Sequence, residues 1–151
     1  MTDFEASLND LLVATFDTIL KFESESLRQI AGVSVTISEA HMLAYIAEQD
    51  GKATVSQIAA NRWLAVPTVT IAVKKLEKKG YVAKAPSPVD GRRVYIRLTE
   101  QGERINRAHT ILHQRMVRNI SNQFQPNEKD ILLSAIKKLN TFFSGLTGGQ
   151  K

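Results

Sequence analysis

Between Thr54 and Gly80 two helical segments stand so close together that only a tight turn can join them, and this limits the possible folds more than any other feature. Thr54 followed three residues later by Gln57 is a capping box, opening a short helix from Val55 to about Trp63. Pro67 suits the first position of a helix, where its missing N–H has no intrahelical partner anyway, so a second helix runs from Pro67 to about Lys79. Gly80 then supplies a left-handed C-terminal cap. Only Leu64, Ala65 and Val66 are left to make the turn. Beyond Gly80 the period changes: Tyr81 to Ala85, then Val94, Ile96 and Leu98 alternating with Tyr95 and Arg97, read as a hairpin. Its tip, from Pro86 to Arg92, is rich in residues that break regular structure.

Helices flank this centre on both sides. Phe4, Leu8, Leu11, Leu12, Phe16, Ile19 and Leu20 recur at helical spacing, which predicts a long first helix from Phe4 to about Ile30. Ser38 is a good N-cap for a second, running to about Gln49 and ended by Asp50-Gly51. Thr99 caps a fifth helix reaching about Phe124. Pro126 starts a sixth, whose Leu132, Ile136, Leu139, Phe143 and Leu146 follow the rhythm of a helix seeking a partner helix. The tail from Gly145 to Lys151 is expected to fray. The fold class is therefore all-α with a small β-hairpin (α+β), a single domain over 1–151.

The charges fall unevenly along these elements. Residues 1–51 hold two basic and nine acidic side chains, net −7; residues 52–97 hold ten basic and two acidic, net +8; the remainder is net +4. A central block that basic is the footprint of a polyanion-binding module, not of lysines scattered for solubility. The chain has no cysteine, which excludes thiolate nucleophiles and thiolate zinc sites. There is no apolar run near the ~18 residues needed to span a bilayer and no secretory leader, so a cytoplasmic location is expected. No phosphate-cradling glycine loop, nucleophile elbow, metalloprotease helix motif or pair of acids near the histidines is legible, which argues against an enzyme.

Two short helices, a tight turn and a basic hairpin make the order helix-turn-helix-wing, in which the second helix lies in the DNA major groove. At ~100° per residue, Val69, Ala72, Val73 and Leu76 gather on one face of that helix, and Pro67, Thr70, Ile71, Lys74 and Lys78 on the other. Thr68, Thr70 and Ile71 are placed to meet thymine methyls or base edges, and Lys74, Lys75 and Lys78 to meet phosphates or guanine acceptors. An isoleucine in a lysine-bearing face is poorly explained by solubility. At the hairpin tip Arg92 and Arg93 can enter the narrow minor groove, with Asp90 near enough to hold a guanidinium in position. A chromosome-coating protein without sequence preference would share the basic block, and its mark would be equal affinity for scrambled DNA.

These residues resemble the MarR family. Val55-Ser56-Gln57-Ile58-Ala59, Thr68-Val69-Thr70, Lys75-Leu76-Glu77-Lys78-Lys79-Gly80-Tyr81-Val82, Asp90-Gly91-Arg92-Arg93 and Leu98-Thr99-Glu100-Gln101-Gly102 all carry the likeness, which extends over nearly the whole chain. It implies a homodimer clasped by the terminal helices (1–30 and 100–146) around two winged helix-turn-helix lobes (38–98) that bind a pseudo-palindromic operator. Ser56 and Gln57 join the DNA-contacting set, Arg92 matches the wing-tip arginine and Asp90 its partner. Glu39-Ala40-His41 and the His109 to His113 stretch are most similar to repressors of fatty-acid biosynthesis genes in Gram-positive bacteria. That likeness implies a long-chain acyl group on acyl carrier protein as corepressor, with no cofactor.

His109 and His113 are four apart on the side of the fifth helix that carries Ile105, Leu112, Met116 and Ile120, and His41 can join them. With Phe16 and Leu20 they make a candidate effector pocket. Neutral histidine is also a common metal ligand, and zinc-responsive members of the family use histidines in similar places, so His41, His109 and His113 are the alternative metal set. A small aromatic or lipophilic ligand is a further alternative. Arg104, Arg107, Arg115 and Arg118 fall within an arc of ~80° on the opposite side, either a solvated face or a dock for an acidic partner such as acyl carrier protein.

Overall fold

The computed structural model describes residues 1–32 and 34–147. Its elements are α1 (Asp3–Ala31), α2 (Ile37–Glu48), α3 (Val55–Arg62), α4 (Val66–Lys78), β1 (Val82–Pro86), β2 (Val94–Leu98), α5 (Glu100–Ser121) and α6 (Pro126–Thr147). The chain divides into two compact units, Met1–Leu112 and His113–Lys151, the boundary falling inside the unbroken α5.

Local chemistry sets where each helix begins and ends. α2 starts at Thr36, not at Ser38: the Thr36 hydroxyl accepts from the Glu39 N–H at 3.2 Å, and the Glu39 carboxylate accepts from the Thr36 N–H at 3.0 Å. Two reciprocal hydrogen bonds outcompete the single one Ser38 offers, and Ser38 falls in the first turn. Thr54 and Gln57 form the expected box on α3, which stops because Trp63 turns left-handed at φ 51°. Pro67 takes the second position of α4 rather than the first, since Val66 is already helical and Ala65 serves as a cap without a side-chain bond. The Thr99 hydroxyl accepts from the Gly102 N–H at 3.2 Å and opens α5, which ends at Ser121, short of the expected Phe124. α6 continues past Gly145 to Thr147, so fraying does not begin where expected; residues 148–151 lie outside the described residues.

The two strands pair antiparallel with Val82 opposite Leu98 and Pro86 opposite Val94. A lone bridge joins Ala53 to Ile96, whose N–H donates to the Ala53 carbonyl at 2.8 Å, tying the hairpin to the entrance of α3. Met42, Leu43 and Ile46 from α2, Ile58 from α3, Val69, Val73 and Leu76 from α4, Val82 and Ile96 from the hairpin, and Ile105 from α5 form one buried cluster. At ~1.5–3 kcal/mol per buried aliphatic side chain, this cluster fixes the orientation of α4 and the hairpin against α2. Gly102 lets α5 pass directly over the Tyr81 carbonyl, where any β-carbon would collide.

Both terminal helices carry apolar side chains that their own unit does not cover. Phe4, Leu11, Phe16, Ile19, Leu20 and Phe22 are exposed along α1. In the second unit Ile131, Leu133, Ile136, Phe142, Phe143 and Leu146 are exposed along α6. Exposed apolar side chains recur along both helices, in contrast to the scattered single ones that are ordinary on a protein surface.

Candidate nucleic-acid interface and histidine cluster

The helical period divides α4 as the sequence implies. Val69, Val73 and Leu76 are fully buried and Ala72 half-buried, while Pro67, Thr68, Ile71, Lys74, Lys75 and Lys78 are exposed. Ile71 is 58% exposed between lysines. Thr70 is half-buried and donates its hydroxyl proton to the Val66 carbonyl at 3.0 Å, so toward a ligand its oxygen can act only as an acceptor. Ser56 and Gln57 lie exposed in the first turn of α3. They line a groove together with Thr54, Arg92 and Arg93, which brings the start of α3 and the hairpin tip onto one surface.

The tip is built by short-range hydrogen bonds. Ser87 is buried, and its hydroxyl accepts from the Val89 N–H at 3.3 Å and the Asp90 N–H at 3.2 Å. Its own N–H donates to the Arg93 carbonyl, and the Arg93 N–H donates to the Asp90 carbonyl. Asp90 does not hold the Arg92 guanidinium. One carboxylate oxygen accepts from the Arg92 backbone N–H at 3.0 Å and the other lies 3.8 Å from Arg93 Nε. Asp90 thus orders the turn and leaves the Arg92 side chain projecting into solvent.

The histidine cluster includes a residue that sequence reasoning missed. Glu23, on α1, is buried and places a carboxylate oxygen 3.4 Å from Nε2 of His41. His41 and His109 meet edge to face with ring centroids 5.2 Å apart. One donor atom from each of Glu23, His41 and His109 lies within 4.8 Å of the others, and His113 follows one turn further along α5. Donors in a tetrahedral zinc site at ~2.0–2.2 Å from the ion stand ~3.4 Å apart, which is the Glu23–His41 spacing. Two imidazoles and a carboxylate are a donor set suited to zinc and its neighbours, so the residues fit such an ion. Phe16 and Leu20 are 63% and 46% exposed on α1. The missed signal was that Glu23 lies three residues after Leu20 and seven after Phe16, on the same stripe of α1. The Nδ1 side of His41 faces α3, with a guanidinium nitrogen of Arg62 at 3.5 Å.

Along α5, Arg104, Arg107, Arg115 and Arg118 are all exposed, and Arg104 is paired with Glu100 at 2.8 Å. No helix among the described residues is long and apolar enough to cross a membrane.

Comparison with known proteins agrees with this architecture. The family model described as MarR family matches residues 32–93. An uncharacterised HTH-type transcriptional regulator of Mycobacterium bovis is 29% identical over 101 residues, 67% of this chain and 70% of that protein. The HTH-type transcriptional repressor IacR of Pseudomonas putida is 31% identical over 97 residues, 64% of this chain and 53% of that one. Among solved structures, Streptococcus pneumoniae FabT in complex with DNA superposes with a TM-score of 0.89 at 28% identity, covering 94% of this chain and 99% of that one. With six helices and one hairpin in this order among the described residues, the chain is similar over residues 32–93 to the MarR family, and the relatives and solved structures it resembles are winged-helix DNA-binding transcriptional regulators.

Proposed function

We propose that the chain is a cytoplasmic repressor that binds a pseudo-palindromic operator as a homodimer, with α4 in the major groove and the Arg92 tip in the minor groove. The observation that carries this reading is the exposed Ile71 set among Lys74, Lys75 and Lys78 on a helix whose other face buries Val69, Val73 and Leu76. A buried face fixes the helix, so the exposed face is presented rigidly, as base reading requires. The uncovered apolar rows of α1 and α6 support the dimer, because a symmetric partner would bury them.

The effector implied by the resemblance is a long-chain acyl group on acyl carrier protein, acting as corepressor. The exposed Arg104, Arg107, Arg115 and Arg118 support it, since they offer an acidic carrier a basic face on α5. A second reading, a divalent transition metal, is favoured by a specific observation: buried Glu23 and His109 and half-buried His41 bring oxygen and nitrogen donors within 4.8 Å of one another. In that reading these three residues hold the ion, and the ion supplies a cross-link between α1, α2 and α5 that the side chains alone make only through hydrogen bonds and packing.

Fluorescence anisotropy on labelled promoter DNA, run with acylated carrier, with unacylated carrier, with zinc and with chelator, separates the readings. Specific DNA binding that scrambled DNA does not compete away supports the operator reading, and equal competition overturns it. Tightening by the acylated carrier alone supports the acyl corepressor. A response to zinc that Glu23→Gln and His41→Ala abolish supports the metal.

A further inference from the structure

The state of the Glu23–His41–His109 cluster has a direct route to the DNA-reading helices. His41 lies in the opening turns of α2, and the groups around it lead in two directions. Its Nε2 faces Glu23, while its Nδ1 faces Arg62, the last residue of α3. Arg62 is followed at once by Trp63, whose left-handed backbone at φ 51° ends α3 and begins the turn into α4. A bulky residue with positive φ is held there by its surroundings, because the conformation costs energy for any side chain with a β-carbon. Trp63 is held by backbone bonds: its N–H donates to Ala60 and the Leu64 N–H donates to Ala59. A displacement of Arg62 therefore acts on the residue that sets the angle between the two helices.

We propose that Arg62 is the positioning residue that couples occupancy of this cluster to the reading head, its contact with His41 and a metal ion on His41 being mutually exclusive. The inference rests on the metal reading of the cluster. Arginine is always charged and can only donate, so a hydrogen bond between Arg62 and Nδ1 requires that nitrogen to carry the lone pair and Nε2 to carry the single proton, directed at Glu23. A metal ion on Nε2 needs the lone pair there. The imidazole proton then passes through solvent to Nδ1, with no net gain or loss of protons. Nδ1 becomes a donor facing a donor, beside a new divalent charge, and the guanidinium must withdraw. The same opening turn of α2 also holds Lys79 at the far end of α4 through Glu39, so the turn and the far end of the helix-turn-helix both meet the segment that carries His41.

The test is a linkage measurement on the full-length protein. Zinc affinity is measured by competition with a chromophoric chelator, and DNA affinity by anisotropy with zinc and with chelator, for wild type, Arg62→Gln and Arg62→Lys, with circular dichroism to check folding. The Gln amide can face either imidazole tautomer and carries no charge, so Arg62→Gln should bind zinc about tenfold tighter than wild type. The ratio of DNA affinities with and without zinc should fall below about twofold in this variant. Arg62→Lys keeps a charged donor and should behave like wild type on both counts. Wild-type zinc affinity and an unchanged DNA ratio in Arg62→Gln would overturn the role of Arg62 while leaving the metal site standing. Absence of zinc binding in the wild type would overturn the metal reading and this inference with it.

Discussion

Lys79 places its ammonium 2.8 Å from one carboxylate oxygen of Glu39 and 2.9 Å from the other, and donates also to the Ser34 carbonyl at 3.0 Å. Glu39 is itself the partner of Thr36 in the capping box of α2. One side chain thus joins the end of α4 to the beginning of α2. Lys79→Met should lower the unfolding free energy by about 1 kcal/mol, the upper end for a partly exposed pair, because Glu39 keeps its capping bond. The loss should shrink when the urea titration is repeated at high salt, and a loss independent of salt would point to packing of the lysine stem instead.

Two glycines make a matched pair of opposite expectation. A β-carbon at Gly102 would collide with the Tyr81 carbonyl oxygen, whereas at Gly91 nothing lies within 4 Å. Gly102→Ala should destabilise by about 2–3 kcal/mol, since backbone on both sides must yield. Gly91→Ala should change stability by less than about 0.5 kcal/mol. Thermal unfolding of the two variants decides it, and equal midpoints would mean that α5 can shift off the hairpin at little cost.

Leu76 and Ile71 lie five residues apart on one helix and should fail in different assays. Leu76 is fully buried, so Leu76→Ala should cost about 2–5 kcal/mol of stability. Ile71→Ala should leave stability within about 0.5 kcal/mol and weaken operator binding about tenfold. Chemical denaturation and anisotropy on the same preparations check both, and a stability loss at Ile71 matching that at Leu76 would make it a core residue.

Arg92→Ala should weaken DNA binding strongly while leaving thermal stability intact, because the tip is held by Ser87, Asp90 and backbone rather than by the Arg92 side chain. If roughly eight phosphates are neutralised per dimer, log affinity should fall against log salt with a slope of about −7. A slope near zero would contradict an electrostatic footprint.

Removing metal offers a check independent of DNA. If zinc occupies the cluster, its addition should raise the unfolding midpoint of the wild type, because a ligand that binds only the folded chain stabilises it, by about 2.7 kcal/mol at a hundredfold excess over Kd. Glu23→Gln should abolish the rise. An unchanged midpoint in calorimetry with and without chelator would tell against the site.

Much of this protein is written in short-range pattern. The Thr54–Gln57 box, the stop after α3, Gly80 as a left-handed cap and the change of period into the hairpin depend on neighbours within a few residues, and each sits within a residue or so of where the chain pattern puts it. The division of α4 into a buried and an exposed face follows from 3.6 residues per turn, so which of its side chains are exposed was legible as well. Where the reading slipped locally, two caps competed and the reciprocal Thr36–Glu39 box prevailed over Ser38. The histidine cluster was only half visible. The pairing of His109 with His113 is a helical interval, but bringing Glu23 from α1 and Arg62 from α3 to opposite nitrogens of His41 requires three helices to pack, at separations of eighteen and twenty-one residues. Periodicity can place a side chain on a face; only the packed core decides which face it meets, because that choice is fixed by the fit of Leu43, Ile46, Ile58 and Val73 rather than by any local signal.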